Sequence, residues 1–144
     1  MGRLITVLLA ACLSLSAVAA DAIKGERKEV FGDVTVHYNT FNSTFLTPDI
    51  AKAAELIRSK NQGVINVSVI KDGKPLSANV TGTVKDLTSQ SVPLNFRQVI
   101  EQGAIYYIAQ YPVEQQETRT FEIKVQNGDK IHTINFNQEL FPGE

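Results

Sequence analysis

Short segments in which apolar and polar residues alternate recur along the chain at spacings of about ten residues, and no helix recurs between them. Successive side chains of a β-strand point to opposite faces of a sheet, so this pattern indicates half-buried strands. The sequence therefore predicts an all-β fold, an immunoglobulin-like antiparallel β-sandwich of about seven strands with one short helix. The predicted strands are residues 34–39, 64–71, 77–85, 92–99, 104–111, 118–125 and 131–136.

Turn-forming residues separate these segments. Asp72-Gly73 and Asn127-Gly128 favour the positive φ angles of tight hairpins, so we expect hairpins to dominate the topology. The segment 104–111 differs from the others because it is apolar on both faces. We expect it to be a central strand or a strand covered by the helix.

A short helix is predicted to begin after residue 47. Thr47 is a good N-cap, Pro48 suits the first helical position, and Asp49 lies near the positive end of the helix dipole. The apolar stripe of this helix is formed by Ile50, Ala53, Ala54 and Ile57. We expect the helix to lie across one edge or end of the sheet.

The N-terminal segment has the layout of a signal peptide. Arg3 supplies a positive charge, residues 4–18 are mostly apolar, and small residues precede Asp21. We predict a signal peptide over residues 1–20, a flexible lead-in over residues 21–29 and a single β-sandwich domain over residues 30–144. The mature protein is therefore expected in the periplasm.

A lipid anchor is the alternative to a soluble periplasmic protein. Cys12 ends the sequence LAAC of residues 9–12, which resembles the lipobox of bacterial lipoproteins, where the cysteine is acylated. The apolar run continues past Cys12 to Val18, which favours a cleaved signal peptide. We expect membrane association only if Cys12 is lipidated.

Residues suited to catalysis or metal binding are sparse in this sequence. Cys12 is its one cysteine and His37 and His132 are its two histidines, so no spacing typical of a zinc site is present. The sequence also has no serine-hydrolase elbow and no glycine-rich nucleotide motif. The formal net charge of −1 and the absence of a Lys/Arg run argue against nucleic acid as a partner. We expect no enzymatic activity, no catalytic residue, no cofactor and no metal.

One part of the chain combines aromatic and small polar residues more densely than the rest. It comprises Phe31-Gly32-Asp33, Val36-His37-Tyr38 and residues 41–46 (FNSTFL), followed after the predicted helix by Arg58-Ser59-Lys60 and residues 63–69. These motifs resemble a family of small proteobacterial exported proteins, domain of unknown function 4426, and the likeness runs from about Glu29 to the C-terminus. The resemblance implies a signal peptide and a compact β domain. It implies no activity, cofactor or catalytic residue.

The same part of the chain supplies a candidate binding surface, on which polar groups would lie beside aromatic rings. Its residues are His37, Tyr38, Phe41, Asn42, Arg58 and Lys60. A purely structural role is also open, because residues 42–44 can satisfy backbone groups at a strand-to-helix corner. In that interpretation Phe41, Phe45 and Leu46 plug the end of the sandwich.

Three functional classes remain. The first is a non-catalytic protein-interaction or envelope-assembly module, whose partner would be an envelope protein that the sequence does not identify. The alternative is a small-molecule-binding periplasmic protein with a pocket lined by Tyr38, Tyr106 or Tyr107. The third is a hydrolase, which would need a titratable group in a cleft. The sequence does not indicate an oligomeric state.

Overall fold

The computed structural model describes residues 27–143. The predicted signal peptide, Cys12 and most of the predicted lead-in lie outside the described residues. The described chain is built from ten strands: β1 (Arg27–Phe31), β2 (Val34–Asn42), β3 (Gln62–Lys71), β4 (Lys74–Pro75), β5 (Asn79–Lys85), β6 (Ser91–Leu94), β7 (Arg97–Glu101), β8 (Ala104–Pro112), β9 (Glu117–Asn127) and β10 (Lys130–Leu140). A 3₁₀ turn (Ser43–Phe45) and the helix α1 (Pro48–Ala53) connect β2 to β3.

The strands form two antiparallel sheets. The first sheet has the order β1-β2-β3-β8-β7, with β4 paired to the end of β3, and the second has the order β10-β9-β5-β6. In chain order, β2-β3-β8-β7 and β10-β9-β5-β6 correspond to the A-B-E-D and G-F-C-C′ sheets of immunoglobulin domains. The predicted all-β, immunoglobulin-like sandwich is therefore confirmed.

The number of strands is higher than predicted. β1 and β4 were not expected, and the predicted strand 92–99 divides into β6 and β7, which belong to different sheets. The chain crosses from one sheet to the other between Leu94 and Arg97, where the apolar alternation gives no sign of a break. β1 begins at Arg27, so residues 27–29 lie in a strand that pairs with β2 rather than in the predicted flexible lead-in.

The main core lies between the two sheets. Val36 and Val67 of the first sheet and Ile123 of the second are fully buried there. A chain of aromatic contacts crosses it, with ring centroids 4.7 Å apart for Tyr38 and Phe136 and 4.9 Å apart for Phe121 and Phe136. Burial of each such ring contributes about 1.5–3 kcal/mol, so this core accounts for most of the cohesion between the sheets.

A second apolar cluster covers part of the outer face of the first sheet. It consists of Leu46, Ala51, Ala54, Val64, Val99 and Ile108, and it brings the helix segment onto β3, β7 and β8. β8 lies between β3 and β7 and is apolar on both faces because Tyr107 and Ala109 enter the main core while Ile108 enters this cluster. Both expectations for residues 104–111 are thus confirmed.

The predicted start of the helix is confirmed and its predicted end is not. Thr47 is the N-cap, with its side-chain oxygen accepting a hydrogen bond from Ile50 N at 3.3 Å. α1 ends at Ala53, and Glu55 has a φ of 58°, which no helix can continue. Ile57 therefore lies beyond the helix and is 70% exposed, and Ala53 is exposed as well. Among the described residues, no helix is long and apolar enough to cross a membrane.

Candidate functional site

The end of the sandwich where β2 stops is organised by a buried serine. We call it the corner end and define it by residues 42–61, 112–116 and 140–143. Ser43 is fully buried, its Oγ donates a hydrogen bond to Ser59 O at 2.8 Å, and the same Oγ accepts one from Ser59 N at 2.8 Å. One hydroxyl thus bonds both backbone groups of Ser59, whose carbonyl oxygen also accepts a hydrogen bond from Gln62 N at 3.2 Å.

Asn42 joins three segments of the corner end. Its Oδ1 accepts hydrogen bonds from Thr44 N and Thr44 Oγ1, and its Nδ2 donates to Lys60 O at 2.9 Å. Lys60 O also accepts a hydrogen bond from Gly143 N at 2.8 Å, which fixes the C-terminal tail. The predicted structural role of Asn42 and Ser43 in a strand-to-helix corner is confirmed by these bonds.

An open groove of about 680 Å³, which we call the end groove, lies between this corner and the tail. Its lining residues are Thr40, Phe41, Asn42, Thr44, Phe45, Gly63, Tyr111, Val113, Gln138, Glu139, Leu140, Phe141, Pro142 and Gly143. Tyr111 and Val113 are buried in its floor, whereas the rings of Phe45 and Phe141 are 79% and 54% exposed. The expectation that Phe45 plugs the sandwich end is therefore wrong.

Close packing seats Tyr111 in the floor of the groove. A Cβ atom at Gly63 would lie 2.4 Å from a ring carbon of Tyr111, so only glycine fits opposite this ring. Burial raises the pKa of the Tyr111 hydroxyl well above its usual range, and the nearby Arg119 only partly opposes this. The Tyr111 hydroxyl is consequently neutral at any physiological pH and contributes a dipole rather than a charge.

Two cations flank the groove. Arg58 donates a hydrogen bond to Thr44 O at 3.2 Å, and the backbone of Lys60 holds both Asn42 and the tail. Within residues 27–143, neither side chain takes part in an ion pair. The acidic lining residue Glu139 accepts a hydrogen bond from Gln116 at 3.3 Å. Arg58 and Lys60 are thus two basic residues of the corner segment beside the groove.

The structure brings four of the six predicted surface residues together and separates two. Phe41 and Asn42 line the end groove, and Arg58 and Lys60 lie beside it. Tyr38 is 5% exposed and packs on Phe136 in the main core, so its assignment to a binding surface is wrong. Tyr38 has the same strand phase as Val34 and Val36, whose side chains point into the core. Burial raises the pKa of the Tyr38 hydroxyl, and the negative charge of Glu29 raises it further.

His37 belongs to a different surface. It points from β2 to the outer face of the first sheet, where it lines a separate groove of about 370 Å³ with Asn39, Asn66, Ser68, Ile70 and Tyr106.

The sequence analysis does not identify Phe141 as a site residue, because Phe141 follows the last predicted strand. The signal in the sequence is a large apolar residue directly before the turn-forming pair Pro142-Gly143. In the part of the chain that is described, no group of three or more His, Cys, Asp or Glu side chains is arranged to hold a metal ion.

Comparison with protein families gives a match to the domain of unknown function DUF4426 over residues 28–143. The chain belongs to the DUF4426 family. A crystal structure of a DUF4426 family protein from Pseudomonas aeruginosa PAO1 is 54% identical, with a TM-score of 0.81, and the match covers 85% of this chain and 99% of that one. The resemblance found in the sequence motifs is therefore confirmed, and the family resemblance extends over the corner end and the end groove.

More distant proteins share the fold alone. FetP of uropathogenic E. coli strain F11, expressed recombinantly in the periplasm, has a TM-score of 0.58 at 6% identity, over 83% of this chain and 96% of that one. A copper-bound variant of FetP has a TM-score of 0.62 at 7% identity, over 82% of this DUF4426 chain and 96% of that one. No curated protein matches the sequence.

Proposed function

We propose that this DUF4426 protein is a non-catalytic protein-interaction module of the bacterial envelope that binds an extended segment of an envelope protein in its end groove. The observation that carries the proposal is the exposure of two phenylalanine rings in one groove, 79% for Phe45 and 54% for Phe141. Apolar surface held in contact with water is unfavourable, and a cluster of it with a polar rim marks an interaction site. A partner that covered both rings would gain most of the binding energy there.

The chemistry of the rim supports a partner segment that carries an acidic residue beside apolar ones. Arg58 and Lys60 lie on one side of the groove without an ion-pairing acid among the described residues. A carboxylate of the partner would complement them, mainly by steering association and fixing the register. Residues 141–143 also line the groove and lie outside the strands, so the exposed ring of Phe141 is available to the apolar part of an extended segment.

The composition of the groove supports binding rather than catalysis. Glu139 is its one acidic lining residue, and Tyr111 is held neutral by burial. The histidines that would supply a base line other depressions, His37 on the sheet face and His132 beside the hairpin turns. The groove lining therefore includes no histidine or cysteine, which supports the proposal of a binding role.

The proposed compartment is the periplasm. The signal-peptide pattern of residues 1–20 supports it, and so does the fold shared with FetP, one form of which was expressed in the periplasm. An unidentified envelope protein is the partner in this proposal.

Photo-crosslinking in the periplasm is the test of this function. A photoreactive residue is placed at position 45, at position 141 and, as a control, at Ile131, which is 58% exposed at the other end of β10. We expect positions 45 and 141 to give the same envelope-protein adduct and position 131 to give none. Mass spectrometry of the adduct identifies the contacted segment of the partner, which should be apolar with a flanking acidic residue.

Calorimetry with a synthetic peptide of that segment then measures the energetics. The double variant Phe45→Ser/Phe141→Ser should weaken binding by at least about tenfold, and Arg58→Glu/Lys60→Glu by several-fold with a reduced salt dependence. Ile131→Ser should bind as the wild type does. Equal affinity of the wild type and the double phenylalanine variant would exclude the end groove as the docking site.

A further inference from the structure

The outer face of the first sheet is divided into an apolar half and a polar half. The apolar half lies under α1 and its flanking loop, where Val64, Val99 and Ile108 are buried. The polar half is open and forms the groove of about 370 Å³ that His37 lines, which we call the face groove. The face groove lies on a different surface of the sandwich from the end groove, and it shares no lining residue with it.

Two asparagines stand directly opposite each other in the face groove. Asn39 of β2 and Asn66 of β3 are partners in the strand register, and both strands are interior to the sheet. Asparagine is among the residues least suited to strands, because its side chain competes for backbone hydrogen bonds. At positions where threonine or valine would favour the strand, the chain therefore carries an amide pair.

The amide of Asn66 is also incompletely satisfied. Its Oδ1 is buried and has no hydrogen-bond partner. Among residues 27–143, no other buried side-chain nitrogen or oxygen atom lacks a hydrogen-bond partner. A buried acceptor without a donor destabilises the folded protein. Rotation of the amide about its Cβ–Cγ bond exchanges oxygen and nitrogen, so the group can present either a donor or an acceptor to the groove.

The remaining lining residues define the ligand. His37, Ser68 and the two asparagines supply donors and acceptors, Tyr106 and Ile70 supply apolar surface, and none of the six side chains is a carboxylate, an ammonium or a guanidinium. A ligand that matches this set is neutral, carries several hydroxyl groups and has an apolar ring face. We propose that the face groove is a binding site for a neutral saccharide, with Asn39 and Asn66 bonding its hydroxyls and Tyr106 contacting the sugar ring.

Nuclear magnetic resonance titration of the mature protein with neutral disaccharides tests this site. The probes are maltose, cellobiose and N,N′-diacetylchitobiose, each added to about 10 mM, because small polar ligands on open grooves bind weakly. We expect at least one of them to shift the side-chain amide resonances of Asn39 and Asn66 and the ring resonances of Tyr106. If none of the three shifts these resonances, the saccharide site is excluded.

Two matched variants separate a ligand role from a structural role. Asn66→Leu should weaken saccharide binding by at least about tenfold and raise the melting temperature, because it removes both the orphaned oxygen and a residue unsuited to strands. Asn135→Leu makes the same change at an exposed position of β10 and should leave binding unaltered. Binding that survives Asn66→Leu overturns the assignment, as does a loss that is equal in both variants.

A second variant covers the case in which Asn66→Leu disturbs folding. Asn39→Thr keeps a polar, strand-compatible side chain opposite Asn66 but removes the amide, and it should weaken binding several-fold with an unchanged melting temperature. Retained affinity in a folded Asn39→Thr variant contradicts the proposal. These outcomes are independent of the peptide measurements at the end groove, since the two sites have no lining residue in common.

Discussion

The two ends of the sandwich are closed by different means. At one end, which we call the turn end, the hairpins β1–β2, β3–β4 and β9–β10 each reverse the chain within two residues. At the corner end, side chains bond to the backbone of distant segments, as Ser43 does to Ser59 and Asn42 to Lys60. A tight turn leaves no room between strands, whereas a corner braced by side chains leaves the end groove open.

The two kinds of closure predict different effects of substitutions on the stability of the protein. The conformation of each hairpin at the turn end is determined by residues adjacent in sequence, so a substitution in one hairpin should not affect the stability of the others. Residues of the corner end share hydrogen-bond partners, because Lys60 O accepts from both Asn42 Nδ2 and Gly143 N. We therefore expect substitutions at the corner end to cost more stability, and to be coupled.

The largest effect is expected from glycines at the two ends. Gly63→Ala places a Cβ atom 2.4 Å from the buried ring of Tyr111, so the ring must leave the floor of the groove, and we expect a loss of about 3 kcal/mol. Gly73→Ala at the turn end meets no atom within 4 Å and is penalised only by its φ of 76°, at about 1–2 kcal/mol. Urea unfolding of both variants measures the two losses. Equal losses would show that the corner is no more tightly packed than a hairpin.

The second effect comes from the buried hydroxyl. Ser43→Ala leaves Ser59 N without a partner, whereas Ser59 O keeps the hydrogen bond from Gln62 N, and we expect a reduction in the free energy of unfolding of about 1–3 kcal/mol. Ser91→Ala, at an exposed position of β6, is the matched control and should change it by less than about 0.5 kcal/mol. Chemical unfolding followed by fluorescence or circular dichroism distinguishes the two. A change below about 1 kcal/mol for Ser43→Ala would contradict this expectation and would mean that water replaces the lost hydroxyl.

The same contrast explains which features the sequence could predict. Asp72-Gly73 and Asn127-Gly128 specify their hairpins because the positive φ angles are a local property, and Thr47-Pro48 likewise specifies the start of α1. Residues 42–46 were recognised as a corner, but their partners at Ser59, Lys60 and Gly143 are set only by the fold. The sequence pattern therefore placed Phe41, Asn42, Arg58 and Lys60 correctly in one region and could not show that Phe141 joins them.

The errors have a related cause. Proximity in sequence to His37 and Phe41 suggests a surface position for Tyr38, but its strand phase matches that of the buried Val34 and Val36. The spacing of Ile57 fits the apolar stripe of the helix, but the left-handed backbone at Glu55 ends the helix before residue 57. The break between β6 and β7 follows from the need of the chain to cross between sheets, which a period of two does not reveal.

A third prediction uses pH to test the burial of Tyr111 at the corner end. Its pKa is raised in the folded protein above the value of about 10 for an unfolded chain, so its contribution to stability is complete below about pH 10 and is lost as the pH rises toward the folded pKa. We expect Tyr111→Phe to unfold at a higher alkaline pH than the wild type, with Tyr38→Phe showing a smaller shift. Alkaline titration followed by circular dichroism measures both, and identical curves for Tyr111→Phe and the wild type would contradict the burial.

The smallest expected effect concerns Asp86, which holds the β5–β6 turn by local hydrogen bonds. Its Oδ1 accepts bonds from Thr88 Oγ1, Thr88 N and Gln90 N at 2.7–2.9 Å, and these bonds lower the pKa of its carboxyl. A lowered folded pKa gives stability that is present above the unfolded value of about 3.9 and is lost as the pH falls through the folded value. The β5–β6 turn lies at the same end of the sandwich as the corner end, since Lys85 lies opposite Thr120 in the register of β5 and β9. It is nevertheless closed by local hydrogen bonds, as the hairpins of the turn end are.

Asp86→Asn should therefore remove a small part of the acid dependence of stability and leave the corner end unaffected, so that its effect adds to that of Ser43→Ala in a double variant. Non-additive losses in urea unfolding at about pH 3–7 would instead show that the whole end unfolds as one coupled unit, with sequence-local turns included.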